Sequence, residues 1–219
     1  MLKGESFEDT IRMMDGYSDL IVIRHPENGS ALRAADVAIA PVVNAGDGSN
    51  EHPTQALLDL FTIQSRFGRL ANLKVLIAGD LHYGRTARSL LQGLSLYKNN
   101  TVYLLSPKQF RMDPILLKRL KKDLTIVEIS SEKQIPDDCQ VWYWTRIQKE
   151  RIKSKKSLKE VKNSFIVTNK LLENKGNKKM IIMHPLPRVG EISTEVDTDP
   201  RALYFQQAKN GLYIRMALL

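Results

Sequence analysis

The chain has 219 residues, 42% hydrophobic and 26% charged, with one cysteine and a formal net charge of +9. That length can bury a core without disulfide or metal staples, and the composition excludes collagenous, disordered and disulfide-framework chains. No apolar run reaches the roughly 20 residues of a membrane helix, and MLKGESFEDT lacks the apolar core of a signal peptide, so a cytoplasmic protein with no membrane partner is expected.

Residues 1–14 read as a loop running into a helix. SDLIVIRHP (18–26) ends a strand, SALRAADVA (30–38) is helical, and APVVNAGDG (40–48) is a strand entering a Gly/Asp turn. EHPTQALLDLFTIQSRFG (51–68) is the clearest helix, with Asn50 or Ser49 as its cap, Pro53 in its first turn and Gly68 closing it. Beyond it, short β-rich runs alternate with helical stretches. LKVLIAG (73–79), TVYLLS (101–106), LTIVEIS (124–130) and QVWYWT (140–145) are strands, and TARSLLQGLSLY (86–97) and DPILLKRLKK (113–122) are helices. A basic helical region follows, then short strands at SFIVT (164–168) and KMIIMHP (179–185). Apolar strands alternating with helices predict an α/β fold, a doubly wound parallel sheet covered on both faces. Cys139, inside the apolar run CQVWYW, is expected to be a buried thiol. The apolar last residues, NGLYIRMALL, read as a helix cut partway, and both ends suggest a piece of a larger design.

The positive charge invites a nucleic-acid reading, but its location argues against one. Residues 107–123 and 148–160 each carry six cations against two anions, and residues 170–179 carry four against one, which accounts for the whole excess. These cations are not interleaved with aromatics, so solvated faces are favoured over a nucleic-acid groove.

Three histidines, His25, His52 and His184, precede prolines, where restricted backbone geometry is as good a reason as chemistry. They are dispersed and have no i,i+4 partner, so a metal site is not expected. Arg24 and Arg146 end strands, Arg85 opens a helix after a strand, and Arg188 follows HPLP. A surface salt bridge is the plainer reading of any one; several near strand ends point to an anionic substrate. GDLHYGRT (79–86) has the spacing of a phosphate-binding P-loop but arginine in place of its lysine, and the bulky His82-Tyr83 fits a wrapped triphosphate poorly. In HPTQ (52–55), His52 and Gln55 lie three apart at a helix start. One can donate to a carbonyl oxygen and the other can read an NH₂ group, although either alone could be a structural cap.

Together RHP, NAGDGSNEHPTQALLDLFTI, GDLHYGRT, TRIQKER and MHPLPRVGEI resemble, in order and spacing, the aspartate carbamoyltransferase catalytic chain of the aspartate/ornithine carbamoyltransferase superfamily, from residue 3 to residue 219. The ornithine enzyme carries His-Cys-Leu-Pro where HPLP (184–187) stands here, and GRT with TRIQKE points to aspartate.

The resemblance implies transfer of a carbamoyl group from carbamoyl phosphate to L-aspartate, in pyrimidine synthesis, with no metal or organic cofactor. By motif, Arg24 and His52 would polarise the carbamoyl carbonyl, and Gln55 and the Leu186 carbonyl would orient its NH₂, with Pro185 shaping that turn. Arg85 would take the α-carboxylate of aspartate, Arg146 and Gln148 its side-chain carboxylate, and Lys3 would reach a neighbouring subunit's site. The implied assembly is a homotrimer with shared active sites, with a regulatory subunit or a separate N-terminal half as further partners.

The implied domains are a partial carbamoyl-phosphate-binding domain (1–54 with 206–219), a connecting helix (55–68) and a nearly complete aspartate-binding domain (69–205). The family's S-T-R-T phosphate loop, upstream of the position of Lys3, is absent, so the resemblance is to an N-terminally truncated chain. A catalytically incomplete fragment or non-catalytic aspartate-binding or regulatory module is the alternative.

Overall fold

The computed structural model describes residues 4–147 and 165–219. The first helix, α1 (Phe7–Asp15), is capped by Ser6, whose Oγ accepts from the Asp9 N–H at 3.0 Å. Strand β1 (Ile21–His25), helix α2 (Ser30–Val37) and strand β2 (Val42–Asp47) follow, and the two strands pair in parallel as a sheet of their own. Phe7, Ile11, Ile21 and Ala34 form its small core, lying on the side of α1 and α2.

Helix α3 (Pro53–Phe67) ends at Gly68 in the left-handed region (φ +68°), as the sequence predicts. Its start differs from expectation. His52 holds the cap position without a side-chain cap bond, and neither Ser49 nor Asn50 caps the helix. Those residues belong to a turn closed by Asp47, whose carboxylate accepts from the Asn50 amide at 3.0 Å and the Glu51 N–H at 3.1 Å. Asp47 consequently sits below its ordinary value: burial pushes it up, but bonds from Asn50, Asn44 and two backbone N–H groups outweigh that.

The rest builds one parallel sheet from β3 (Lys74–Ala78), β4 (Thr101–Leu105), β5 (Thr125–Ile129), β6 (Val141–Trp144) and β7 (Ile181–Met183), in spatial order β5-β4-β3-β6-β7. Helices α4 (Arg85–Ser95), α5 (Pro114–Leu120), α6 (Asn169–Lys175) and α7 (Tyr204–Leu218) complete the α-helices among the described residues. Alternate strand residues enter two different cores. Val75, Ile77, Val141 and Tyr143 pack with α3, α4 and α5, while Leu76, Ala78, Trp142 and Trp144 pack with α6, Val196 and Tyr204. Burial on both faces is why these strands read as continuous apolar runs, and it matches the doubly wound expectation.

Cys139 is buried, and burial pushes its thiol up to about 12, so it stays protonated. Among the described residues no helix is long and apolar enough to cross a membrane.

One expected strand is corrected. Among the described residues of SFIVT (165–168), only Val167 pairs, as an isolated parallel bridge to Ile192, and Phe165 is left-handed at φ +63°. A β-branched or aromatic residue in that region interrupts a strand rather than extending it. Most of the basic helical region expected after Thr145 lies outside the described residues.

Candidate active site

The chain passes from β3 outward to β4 and β5, then returns to place β6 on the other side of β3, so strand order reverses between β3 and β6. Open α/β sheets bind ligands in the crevice such a reversal leaves at the carboxyl ends of the strands. A cleft of ≈ 500 Å³ lies there, lined by Arg85 and Thr86 opening α4, Thr145 and Arg146 following β6, and Pro185 and Leu186 following β7. Gly79 makes the close approach possible. It holds φ +116°, and a Cβ on it would lie 2.2 Å from the Thr145 carbonyl oxygen.

Arg85 is half-buried and donates from Nη1 to the Gly48 carbonyl at 2.9 Å. Burial and the nearby Arg24 charge pull it below its ordinary value, with Asp47 partly offsetting them, but a guanidinium remains charged. His52 reports the same excess of positive charge. Burial first, then Arg85, Arg24 and Arg215, lower its pKa to about 4, so it is a neutral imidazole at pH 7. Its Nδ1 lies 3.3 Å from Thr54 Oγ1. When the hydroxyl donates there, the ring proton sits on Nε2 and is free to donate. The His52 N–H itself donates to Ser89 Oγ at 2.9 Å, tying the start of α3 to α4.

The turn after β7 is held from both sides. His184 is buried; its Nδ1 accepts the Leu186 N–H at 2.8 Å, so the ring proton is on Nε2, 2.8 Å from Glu191 Oε1. Glu191 stays below the usual carboxylate range because bonds from His184 and the Val189 N–H outweigh the burial that pushes it up. Leu186 is left-handed (φ +49°), which costs a non-glycine residue about 1 kcal/mol. Strain of this kind persists where the surroundings over-determine it.

Of the residues expected to form the site, Arg85, Arg146, Pro185 and Leu186 line one cleft. Arg24, exposed on β1, and His52 are not part of that lining; the Arg24 charge acts on both Arg85 and the neutral His52. Gln55 is buried on α3 and donates from Nε2 to Asp59 Oδ1 at 2.8 Å. Lys3 and Gln148 lie outside the described residues.

Arg188 takes the plainer reading, in a bidentate pair with Asp197. The P-loop spacing at 79–86 carries no phosphate cradle. The N–H groups of His82 and Tyr83 donate instead to Asp80 Oδ1, at 3.1 and 2.9 Å. Asp59 and Gln207, both buried and bonded to one another at 2.6 Å, are polar residues that no motif in the sequence singles out. The available signal was an acid four residues after Gln55 within an apolar helix face.

Two family models match. The Asp/Orn binding domain of aspartate/ornithine carbamoyltransferase covers residues 71–219 and its carbamoyl-P binding domain covers residues 1–65. The aspartate carbamoyltransferase catalytic subunit of Methanocaldococcus jannaschii is 47% identical over 218 residues, 99% of this chain and 70% of the relative. The chloroplastic aspartate carbamoyltransferase 2 of Pisum sativum is 50% identical, again over 99% of this chain but 57% of its own length.

Among solved structures, the M. jannaschii catalytic subunit superimposes with a TM-score of 0.90 at 46% identity, covering 99% of this chain and 70% of that one. The Trypanosoma cruzi aspartate transcarbamoylase in complex with N-(phosphonacetyl)-L-aspartic acid gives 0.89 at 39% identity, covering 98% and 69%.

Proposed function

The chain belongs to the aspartate/ornithine carbamoyltransferase family, and on that premise we propose that it transfers the carbamoyl group of carbamoyl phosphate to the amine of L-aspartate, giving N-carbamoyl-L-aspartate and phosphate. The observation that carries this reading is the convergence of Arg85 and Arg146 with the Pro185-Leu186 turn in one cleft at the reversal of strand order.

In this reading the two arginines take the two carboxylates of aspartate, Arg85 the α-carboxylate and Arg146, with Gln148, the side-chain one. Arg24 and neutral His52 donate to the carbamoyl oxygen, where negative charge grows as the amine attacks; preorganised donors there stabilise the transition state by a few kcal/mol. Gln55 Oε1 and the Leu186 carbonyl accept from the carbamoyl NH₂. A C–N bond forms, the C–O bond to phosphate breaks, and the protein contributes positioning and charge rather than a nucleophile. Lys3 completes a neighbouring copy's site in a homotrimer, a proposal supported by relatives named as catalytic subunits. A regulatory subunit or a separate N-terminal half would be its further partners. The domains follow the same reading, with 69–205 binding aspartate and 1–54 with 206–219 binding carbamoyl phosphate across the helix at 55–68.

The test is an assay for N-carbamoyl-L-aspartate with the purified chain, alone and with the phosphate-loop half of a relative added. Product in either arm that disappears in Arg146→Ala supports the reading. No product in both arms overturns it.

A further inference from the structure

A fully buried carboxyl sits behind the site, unused by the chemistry above. Asp59, on α3, has no solvent exposure, and its Oδ1 accepts two amide N–H bonds, from Gln55 Nε2 at 2.8 Å and from Gln207 Nε2 at 2.6 Å. Gln207, on α7, has only one possible orientation: its Oε1 accepts the His184 backbone N–H at 2.8 Å, and a backbone N–H can only donate. Its amide nitrogen must therefore face Asp59. With Oδ1 unprotonated, as an ionised carboxylate or with the acid proton on Oδ2, it can only accept, which also fixes Gln55 with nitrogen inward and Oε1 outward. Among the described residues no donor is bonded to that Oε1.

The other arm of the network ends at the turn. Gln207 holds the backbone of His184, and the His184 ring accepts the Leu186 N–H at 2.8 Å. One carboxylate oxygen is thus two hydrogen bonds from His184 and three from Leu186.

We propose that Asp59 is the positioning residue for recognition of the carbamoyl NH₂: its Oδ1 turns the Gln55 amide so that an oxygen faces the ligand, and through Gln207 and His184 it sets the Leu186 turn. This rests on the roles given to Gln55 and Leu186 under the proposed function. A free glutamine amide presents nitrogen and oxygen about equally, and a nitrogen turned toward an NH₂ group is repelled rather than bonded. Asp59 removes that choice. It also sits where water cannot substitute for it, so the two amides lose their partner outright when the carboxyl is removed.

Acetyl phosphate tests this directly, because it keeps the carbonyl and the phosphate and replaces NH₂ with methyl. The affinities of the full chain for carbamoyl phosphate and acetyl phosphate are compared by calorimetry, with L-aspartate binding measured alongside. In Asp59→Ala the preference for carbamoyl phosphate should fall about tenfold, while aspartate affinity changes less than about threefold. Asp59→Asn, whose Oδ1 can still accept both amides, should keep the preference to within about threefold. Gln207→Met removes the bonds to both Asp59 and His184 but leaves the Gln55–Asp59 bond, and should lose about threefold, which keeps the test open if Asp59→Ala does not fold.

Parental preference in a folded Asp59→Ala or in Gln207→Met overturns the proposal. So does a loss in Asp59→Asn as large as in Asp59→Ala, since charge and not amide orientation would then be at work. A parent chain that binds neither acyl phosphate overturns the functional reading itself, whereas a selective parent whose preference survives in the variants overturns the role of Asp59 alone.

Discussion

The two sheets of this chain are made of similar strands but are buried differently. In the five-stranded sheet Val75, Leu76 and Ile77 have no exposure at all, because helices and irregular segments cover both faces. In the two-stranded sheet Ile21 is buried, yet its neighbour Val22 is 55% exposed, and Ile39, between α2 and β2, is 95% exposed. A two-stranded sheet is marginal by itself, so this region depends on α1, α2 and its attachment to the rest of the chain. The two proposed halves of the site therefore rest on unequal foundations. The residues assigned to aspartate follow β3 and β6 of the covered sheet, while Arg24 sits on the half-covered one.

The largest contrast should come from paired core truncations. Ile77→Ala should cost about 4 kcal/mol in urea unfolding, because its cavity has rigid walls on all sides, and Ile21→Ala about 2 kcal/mol, because its thin surroundings can collapse. Equal losses would show that the two sheets are equally well covered. Arg146→Ala should lower aspartate affinity about 100-fold, some 3 kcal/mol, by leaving a carboxylate unpaired, with the melting temperature nearly unchanged. Arg85→Ala should lose as much affinity and also about 1 kcal/mol of stability, because Arg85 bonds the Gly48 carbonyl and so joins the two regions.

The smallest effect is in pH dependence, where half-buried His52, at the cap of α3, and buried Asp59 within it oppose each other. His52, lowered to about 4, contributes stability that is fully present above pH 6.5 and is lost as pH falls toward 4. Asp59 is raised to about 7, chiefly by burial, so its contribution is present below pH 3.8 and is lost as pH rises through 7. Between pH 4 and 6.5 the two slopes oppose each other in the parent, so thermal melts should show stability falling with pH in His52→Gln and rising with pH in Asp59→Asn.

Much of the fold was legible because burial on both faces leaves a local trace. Strands such as KVLIA and VWYW can only be apolar throughout, and Gly68 announces the end of α3. Where structure and local pattern part, bonds from elsewhere in the fold are the cause. SFIVT has the composition of a strand, but the left-handed Phe165 donates its N–H to the Glu132 carboxylate at 2.9 Å and its carbonyl accepts from Trp144 Nε1 at 2.7 Å. Those tertiary bonds outweigh propensity. Asn50 has the chemistry of a helix cap and was taken by Asp47 instead.

The family, the alternation of strands and helices, and the candidate residues Arg85, Arg146 and the HPLP turn are all readable from the chain, since each depends on short-range pattern or motif. Only the tertiary structure decided that β6 returns beside β3, which turns strand ends far apart in the chain into the walls of one cleft. It also decided that Asp59 meets Gln207 across 148 residues. Hydrophobic periodicity shows which face of a helix is buried, but not which distant polar group will be there to satisfy it. That choice is made when the core closes and every buried donor must find an acceptor.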